Sequence, residues 1–362
     1  MILTTLLLRQ KLSATVIGSW GEETMDAIRR DYYLSDKSLY ADKYTVGRKP
    51  GGVAFTWGVG VMLSALNAAA KWNPKYKLWL QEYADASHVY WNPAPPVAGY
   101  DVLPGPKPVD RYYDDNAWMA LALVETYEIL KDEKYLRWAE ETLAYVLSGE
   151  DQELGGGIYW KETDKKSKNT CSNGPSAAAC LAVYAHAKNP RFLTRAIGLY
   201  YWTKRNLQDP DDHLYWDSKG LDGKIGKAKW TYNTALMIRT ASELFRLTGN
   251  DHYRSDVEEM VKSSLNHWVT PETSAIKDDV KFAHLLYESW TRAKQLGLWA
   301  NDIKLELTAP LSYLHDRSRS AEGYFGNRWD QLPPTGADSY ALIDQASAAR
   351  AFFEGALAQS GR

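Results

Sequence analysis

Residues 123–139, LVETYEILKDEKYLRWA, decide the fold. The first half ends an apolar helix that starts near Ala117, Lys131 and Asp132 are polar punctuation, and Tyr135 opens a second helix. In that second helix Tyr135, Leu136, Ala139, Leu143 and Val146 share one face, the pattern of a helix with one wet side. The unit is a helical hairpin, and it returns. LNAAAKWNPKYKLWL (66–80), LAVYAHAKNPRFLTRA (181–196) and ELFRLTGNDHYRSDV (243–257) repeat it, with Tyr76, Tyr135, Phe192 and Tyr253 in equivalent places at spacings of 59, 57 and 61 residues. A weaker copy lies at 298–303.

The first helix of each pair differs from the second. AWMALALV (117–124) and AAACLAV (177–183) are apolar nearly all round, as suits helices enclosed by neighbours. The same signals predict about twelve helices, near 21–32, 56–72, 74–91, 114–131, 133–148, 175–188, 190–207, 231–248, 250–268, 280–297, 300–315 and 340–358. Turns inside a hairpin are short, whereas the connections between hairpins are long. Because antiparallel helices return the chain to the same end each time, the long loops gather at one end and the tight turns at the other. The expectation is an all-α (α/α)6 toroid of six hairpins with a functional cleft at the long-loop end, one domain over 21–362 preceded by a poorly defined segment 1–20. An open α-solenoid is the alternative, but six pairs close well on themselves.

Composition narrows the chemistry. With 43 Lys+Arg against 45 Asp+Glu, the chain has no excess of positive charge for nucleic acid. No apolar run reaches the roughly 18 residues of a membrane-spanning helix. MILTTLLL at 1–8 is apolar but short and lacks a positive leading region, so it makes a poor signal peptide and leaves the compartment open. Cys171 and Cys180 form no CxxC pair, there is no HExxH or GxxxxGK[ST], and Gly58-Val59-Gly60 lacks a third glycine. No metal and no cofactor is expected. The 15 Trp and 24 Tyr against 7 Phe stand out: these rings carry a polar edge, as at a ligand with flat faces and hydroxyls.

The long loops carry the chemistry. Tyr112-Tyr113-Asp114-Asp115-Asn116-Ala117-Trp118 places two carboxylates at the start of an inner helix. Helix capping is the common use of such residues. Here the pair leads straight into an apolar inner helix at the barrel mouth, with aromatics on both sides. In a partly dry site two like charges do not both ionise freely, so one carboxyl stays an acid while the helix N-terminus favours charge on the other. That is the division glycoside cleavage uses, and adjacency suits the roughly 5–5.5 Å separation of a retaining mechanism. Tyr113, Trp160, Trp230 and Trp329 are read as ring platforms. Asn173, Asp222, Tyr232 and Asn233 are read as polar or mixed contacts for sugar. Histidines at 88, 186, 252, 267 and 284 are read as packed or surface residues.

The segments at 112–118, Gly156-Gly157-Ile158-Tyr159-Trp160-Lys161, Asn169-Thr170-Cys171-Ser172-Asn173-Gly174-Pro175, Trp230-Thr231-Tyr232-Asn233, Phe282-Ala283-His284-Leu285 and Leu342-Ile343-Asp344-Gln345-Ala346-Ser347 together resemble glycoside hydrolase family 76. The resemblance spans most of the chain. It implies an (α/α)6 barrel and retaining endo-cleavage of α-1,6-mannosidic bonds in mannan polysaccharide or oligosaccharide. Asp114 would be the nucleophile, Asp115 the general acid/base, and Asn173, Asp222, Trp230 and Tyr232 would line the negative subsites. A monomer is expected, and export is suggested by the resemblance alone. Transfer of an α-mannoside to another sugar, and a non-catalytic glycan-binding toroid, remain open alternatives.

Overall fold

The computed structural model describes residues 12–105, 108–300 and 302–361, so the reading of residues 1–8 lies outside the described residues. Among these there are twelve α-helices: α1 (Ala14–Asp31), α2 (Thr56–Trp72), α3 (Lys77–Ser87), α4 (Tyr113–Leu130), α5 (Glu133–Leu147), α6 (Thr170–Ala187), α7 (Pro190–Leu207), α8 (Thr231–Thr248), α9 (Asp251–Trp268), α10 (Val280–Gln295), α11 (Thr308–Arg317) and α12 (Leu342–Ser360). The even-numbered helices form the inner ring in the order α2, α4, α6, α8, α10, α12, and α12 packs back on α2. The chain is an (α/α)6 toroid. Its sixth pair is made by the two ends of the chain, α12 inside and α1 outside. No described helix is long and apolar enough to cross a membrane.

The tight turns repeat one device. Lys131, Lys188 and Gly249 adopt left-handed backbone after α4, α6 and α8. The next residue, Asp132, Asn189 or Asn250, then caps the outer helix, its side chain accepting the N–H of Lys134, Arg191 or His252 at 3.0–3.1 Å. Three residues past each cap comes the buried ring of Tyr135, Phe192 or Tyr253, which locks the hairpin.

Four helix boundaries differ from expectation, each for a local reason. α1 begins at Ala14 rather than near 21, capped by Ser13, so part of the segment 1–20 is regular helix. Its Gly18 and Gly21 are not breakers but close approaches, since a Cβ would lie 2.3 Å from Trp72 and 2.9 Å from Phe353. α6 begins at Thr170, five residues before Pro175, which sits inside the helix and not at its first position. The stretch 74–91 is α3 flanked by short 3₁₀ turns at Pro74–Tyr76 and His88–Tyr90. The helix expected at 300–315 starts only at Thr308, where Pro310 falls in the first turn and its missing N–H costs no helical bond.

Below the mouth, the ring axis is filled by ions as well as hydrocarbon. Arg350 of α12 reaches Glu125 of α4 at 2.8 Å and Glu288 of α10 at 3.3 Å, and Arg239 of α8 meets Glu288 at 2.9 Å. Burial works against the charge on Glu125, but Arg350, Lys71 and Arg239 hold its carboxyl well below the usual range. Four inner helices are thereby tied across the ring.

Candidate active site

All six inner helices start at the mouth, and none is capped by its own flanking side chain. The loops supply the acceptors instead. The first helical N–H of Thr56, Tyr113, Thr170, Val280 and Leu342 meets the carbonyl of Val102, Trp160, Asp217, Asn327 and Asp42 respectively, at 2.8–3.1 Å. Thr231 N–H meets the Asp278 carboxylate at 2.7 Å. Each long loop is thus pinned to an inner helix, which frees the second and third residues of its first turn from the capping role. In α4 these are Asp114 and Asp115, so neither carboxylate is spent as the cap.

A second brace repeats beneath. Asn116 accepts the N–H of Tyr100 and donates to its carbonyl; Asn173 does the same with Ile158 and Gln345 with Phe325, at 2.7–2.9 Å. Each amide also donates to the carbonyl four residues back, that of the residue just before its own helix. Asn173 is therefore a buried clamp that fixes the 155–161 loop, not a sugar ligand.

The clamped loop delivers Trp160, whose indole N–H donates to Asp114 Oδ2 at 3.0 Å. The Trp160 ring packs edge-on against Tyr112 and stays 42% exposed. The Cys171 thiol of α6 lies against Asp114, and the Tyr232 hydroxyl of α8 lies against Cys171. Tyr232 stacks on Phe282 of α10 with centroids 4.4 Å apart, Trp230 leans on the same ring, and Phe282 stacks on Trp57 of α2 at 5.6 Å. The mouth is an aromatic bowl with a carboxyl pair on one wall.

The two carboxyls differ. Burial raises Asp114 to about 6, while the Trp160 indole and the N–H groups of the helix start favour its charge. Asp115 is pushed well above the carboxylate range by burial, then by the Asp114 charge, then by Asp110, with no donor to oppose them. At neutral pH the pair holds one proton, and Asp115 is its better host.

Of the residues singled out by sequence, Asp114, Asp115, Trp160, Trp230 and Tyr232 converge on the mouth, with Asn233 buried just beneath and facing Asp217. Three others join Asn173 outside it. Tyr113 is buried and stacked on Tyr145, its ring so close to Gly149 that a Cβ there would come within 2.7 Å. Trp329 is fully buried, its indole N–H given to the Pro310 carbonyl at 3.1 Å. Asp222 is exposed in the turn between strands Ser218–Gly220 and Ile225–Gly226, paired with Lys224 at 2.9 Å. Sequence reading missed Asp217, half-buried and raised by that burial, together with Trp57, Cys171, Phe282 and Asp344. All but Asp217 occupy the second or third place of an inner helix, the register of Asp114 and Asp115. His284 is buried and held near 4 by that burial, with Nδ1 beside the Val280 carbonyl, as suits a packed imidazole.

The family model of glycosyl hydrolase family 76 matches residues 22–360. The chain belongs to that family. Its fold superimposes on a family 76 α-mannanase of Bacteroides thetaiotaomicron with a TM-score of 0.86 at 28% identity, covering 94% of this chain and 95% of that one. It also matches an inactive variant of the α-1,6-mannanase of Salegentibacter sp. HEL1_6 in complex with α-1,6-mannotriose, two consecutive aspartates being replaced by asparagine there; TM-score 0.77, 22% identity, 94% and 99% covered. Among curated relatives, the meiotically up-regulated gene 191 protein of Schizosaccharomyces pombe is 25% identical over 224 residues, 58% of this chain and 50% of that protein. A mannan endo-1,6-α-mannosidase of Candida glabrata is 26% identical over 138 residues, 36% of this chain and 28% of that protein. The chain spans about half the length or less of these relatives.

Proposed function

We propose that the protein is a retaining, endo-acting glycoside hydrolase that cleaves α-1,6-mannosidic bonds, with Asp114 as nucleophile and Asp115 as general acid/base. The observation that carries this reading is the unequal carboxyl pair at the first turn of α4, opening into an aromatic bowl. The family membership and the mannan-directed names of the relatives support the substrate.

Asp115, protonated, gives its proton to the glycosidic oxygen as the bond to the anomeric carbon breaks. Asp114, held as carboxylate by Trp160, attacks that carbon through an oxocarbenium-like transition state and forms a covalent glycosyl ester. The ionised Asp115 then takes a proton from water, which attacks the anomeric carbon and frees Asp114. Trp160 and Trp230 stack on sugar faces, and the bowl formed by Tyr232, Phe282 and Trp57 excludes competing water.

The test is turnover of linear α-1,6-mannooligosaccharides followed by NMR. The α-anomer should appear first, Asp114→Asn should abolish cleavage with the fold retained by circular dichroism, and Asp115→Asn should lose about 10²–10⁴-fold. Initial release of the β-anomer, or an Asp114→Asn protein with near-normal rate, would overturn the assignment. Products longer than the starting oligosaccharide would show transfer to sugar in place of hydrolysis.

A further inference from the structure

A second concavity opens beside the mouth, against the start of α12. It encloses about 290 Å³ between Phe325, Asn327, Pro333, Pro334, Tyr340 and Asp344. Its walls are fixed from both sides. Gln345 grips Phe325 by its N–H and carbonyl, and strand Ser339–Ala341 pairs with strand Lys43–Thr45. Gly326 lets the loop fold back on itself, since a Cβ there would lie 3.2 Å from the Pro333 backbone.

Asp344 stands where the concavity meets the mouth. It is the third residue of α12, the place Asp115 holds in α4, two inner helices round the ring. It is 6% exposed, and its Oδ1 has no hydrogen-bond partner among the described residues. The charged groups facing it come from α10 and its cap: Lys281, which offsets its charge, and Asp279, which opposes it. Lys281 is already paired with Asp279 at 3.1 Å and lies over the rings of Trp57 and Phe282, within the aromatic bowl. Burial raises the Asp344 carboxyl to about 7, so near neutrality it both donates and accepts. Its Oδ1 is open to a hydrogen bond from water or from a ligand entering the concavity.

The lining defines the ligand. It contains no Lys, Arg or His, which disfavours an anion. Two proline rings, Pro333 half-buried and Pro334 exposed, offer apolar faces backed by the buried rings of Phe325 and Tyr340, and one carboxyl offers hydrogen bonds, the mix that a pyranose with a C–H face and a hydroxyl edge requires. The volume lies at the foot of the roughly 300–1,000 Å³ range of small-molecule sites, enough for one sugar ring and not for a chain.

We propose that this concavity is a side pocket for one neutral hexosyl branch of the glycan whose backbone crosses the mouth, with Asp344 bonded to the branch hydroxyls. The proposal rests on the glycan-cleaving reading of Asp114 and Asp115. It is tested by calorimetric binding in an Asp114→Asn background, so that no cleavage is needed. Two ligands are compared, linear α-1,6-mannotetraose and the same oligosaccharide carrying one α-1,2-mannosyl branch. The branched ligand should bind about tenfold tighter. Asn327→Trp, which fills the pocket from an exposed loop position, and Asp344→Ala should each erase that advantage, while Asp344→Asn keeps most of it. Equal affinities for the two ligands, or an advantage that survives Asn327→Trp, would overturn the pocket and leave the cleavage reading intact. Equal loss for both ligands in Asn327→Trp would mean that the pocket takes an in-line sugar, which also overturns the branch assignment. Binding of neither ligand would remove the glycan reading together with the pocket.

Discussion

Replacing Trp160 by Phe removes one N–H and keeps a ring, which isolates the bond to Asp114 from the stacking surface. That bond is 3.0 Å long and its acceptor is the proposed nucleophile. Hydrogen bonds to charged groups contribute about 1.5–3 kcal/mol. Because Trp160 is 42% exposed, water competes for both partners and about 1.5 kcal/mol is the fitting figure. The bond favours the carboxylate, so its loss favours the protonated form and raises the Asp114 pKa from about 6. At 1.36 kcal/mol per unit, the rise is about one unit. The nucleophile must be charged, so the acidic limb of kcat/KM on a linear α-1,6-mannooligosaccharide should move up by about one pH unit. At pH 5 the variant should be about tenfold slower from titration alone, and the deficit should shrink above pH 8. The apparent values belong to the carboxyl pair, and the comparison with wild type removes that ambiguity. An unmoved acidic limb with a loss uniform in pH would refute the reasoning and reduce Trp160 to a platform for sugar.

Arg350→Ala should cost about 3 kcal/mol in urea unfolding, because Glu125 and Glu288 lose one of their buried partners and keep only Arg239, and Arg350→Ala with Glu125→Gln should recover part of the loss. An effect below about 1 kcal/mol would show that the axial network does not hold the ring. Trp329→Ala should cost about 3–5 kcal/mol of stability while leaving KM for short oligosaccharides near wild type, since the ring is core and not cleft. A raised KM in a protein of undiminished stability would return Trp329 to the binding surface.

The hairpins were legible because their turns are local. Lys131-Asp132, Lys188-Asn189 and Gly249-Asn250 carry the left-handed residue and the cap in adjacent positions, and Tyr135, Phe192 and Tyr253 follow at fixed spacing. Proline misled the reading of α6, and in α11 the start signal of Pro310 was passed over for the weak repeat at 298–303. Pro175 reads as a first helical residue, yet a helix held from outside by the Asp217 carbonyl extends five residues further back. In the site, the carboxyl pair was legible from its neighbours in sequence, but the direction of each side chain depends on contacts between distant segments. Tyr113 and Asn173 flank the mouth in sequence and turn away from it, one to meet Tyr145 and the other to meet Ile158. Asp344 lies more than two hundred residues from Asp115, and only closure of the ring brings them to the same opening.

The pairing of α12 with α1 also sets an order in time. A chain emerging from the ribosome displays Asp114 and Asp115 more than two hundred residues before α12, but the opening they belong to lacks a wall until residues 342–360 are made. α12, the last of the twelve helices in chain order, must be clasped between α1, the first, and the inner neighbours α2 and α10, and it brings Arg350 to the axial ions and Asp344 to the mouth. The ring therefore closes in one step once α12 has been made, and a chain that stops short of α12 carries its carboxyl pair on an open arc.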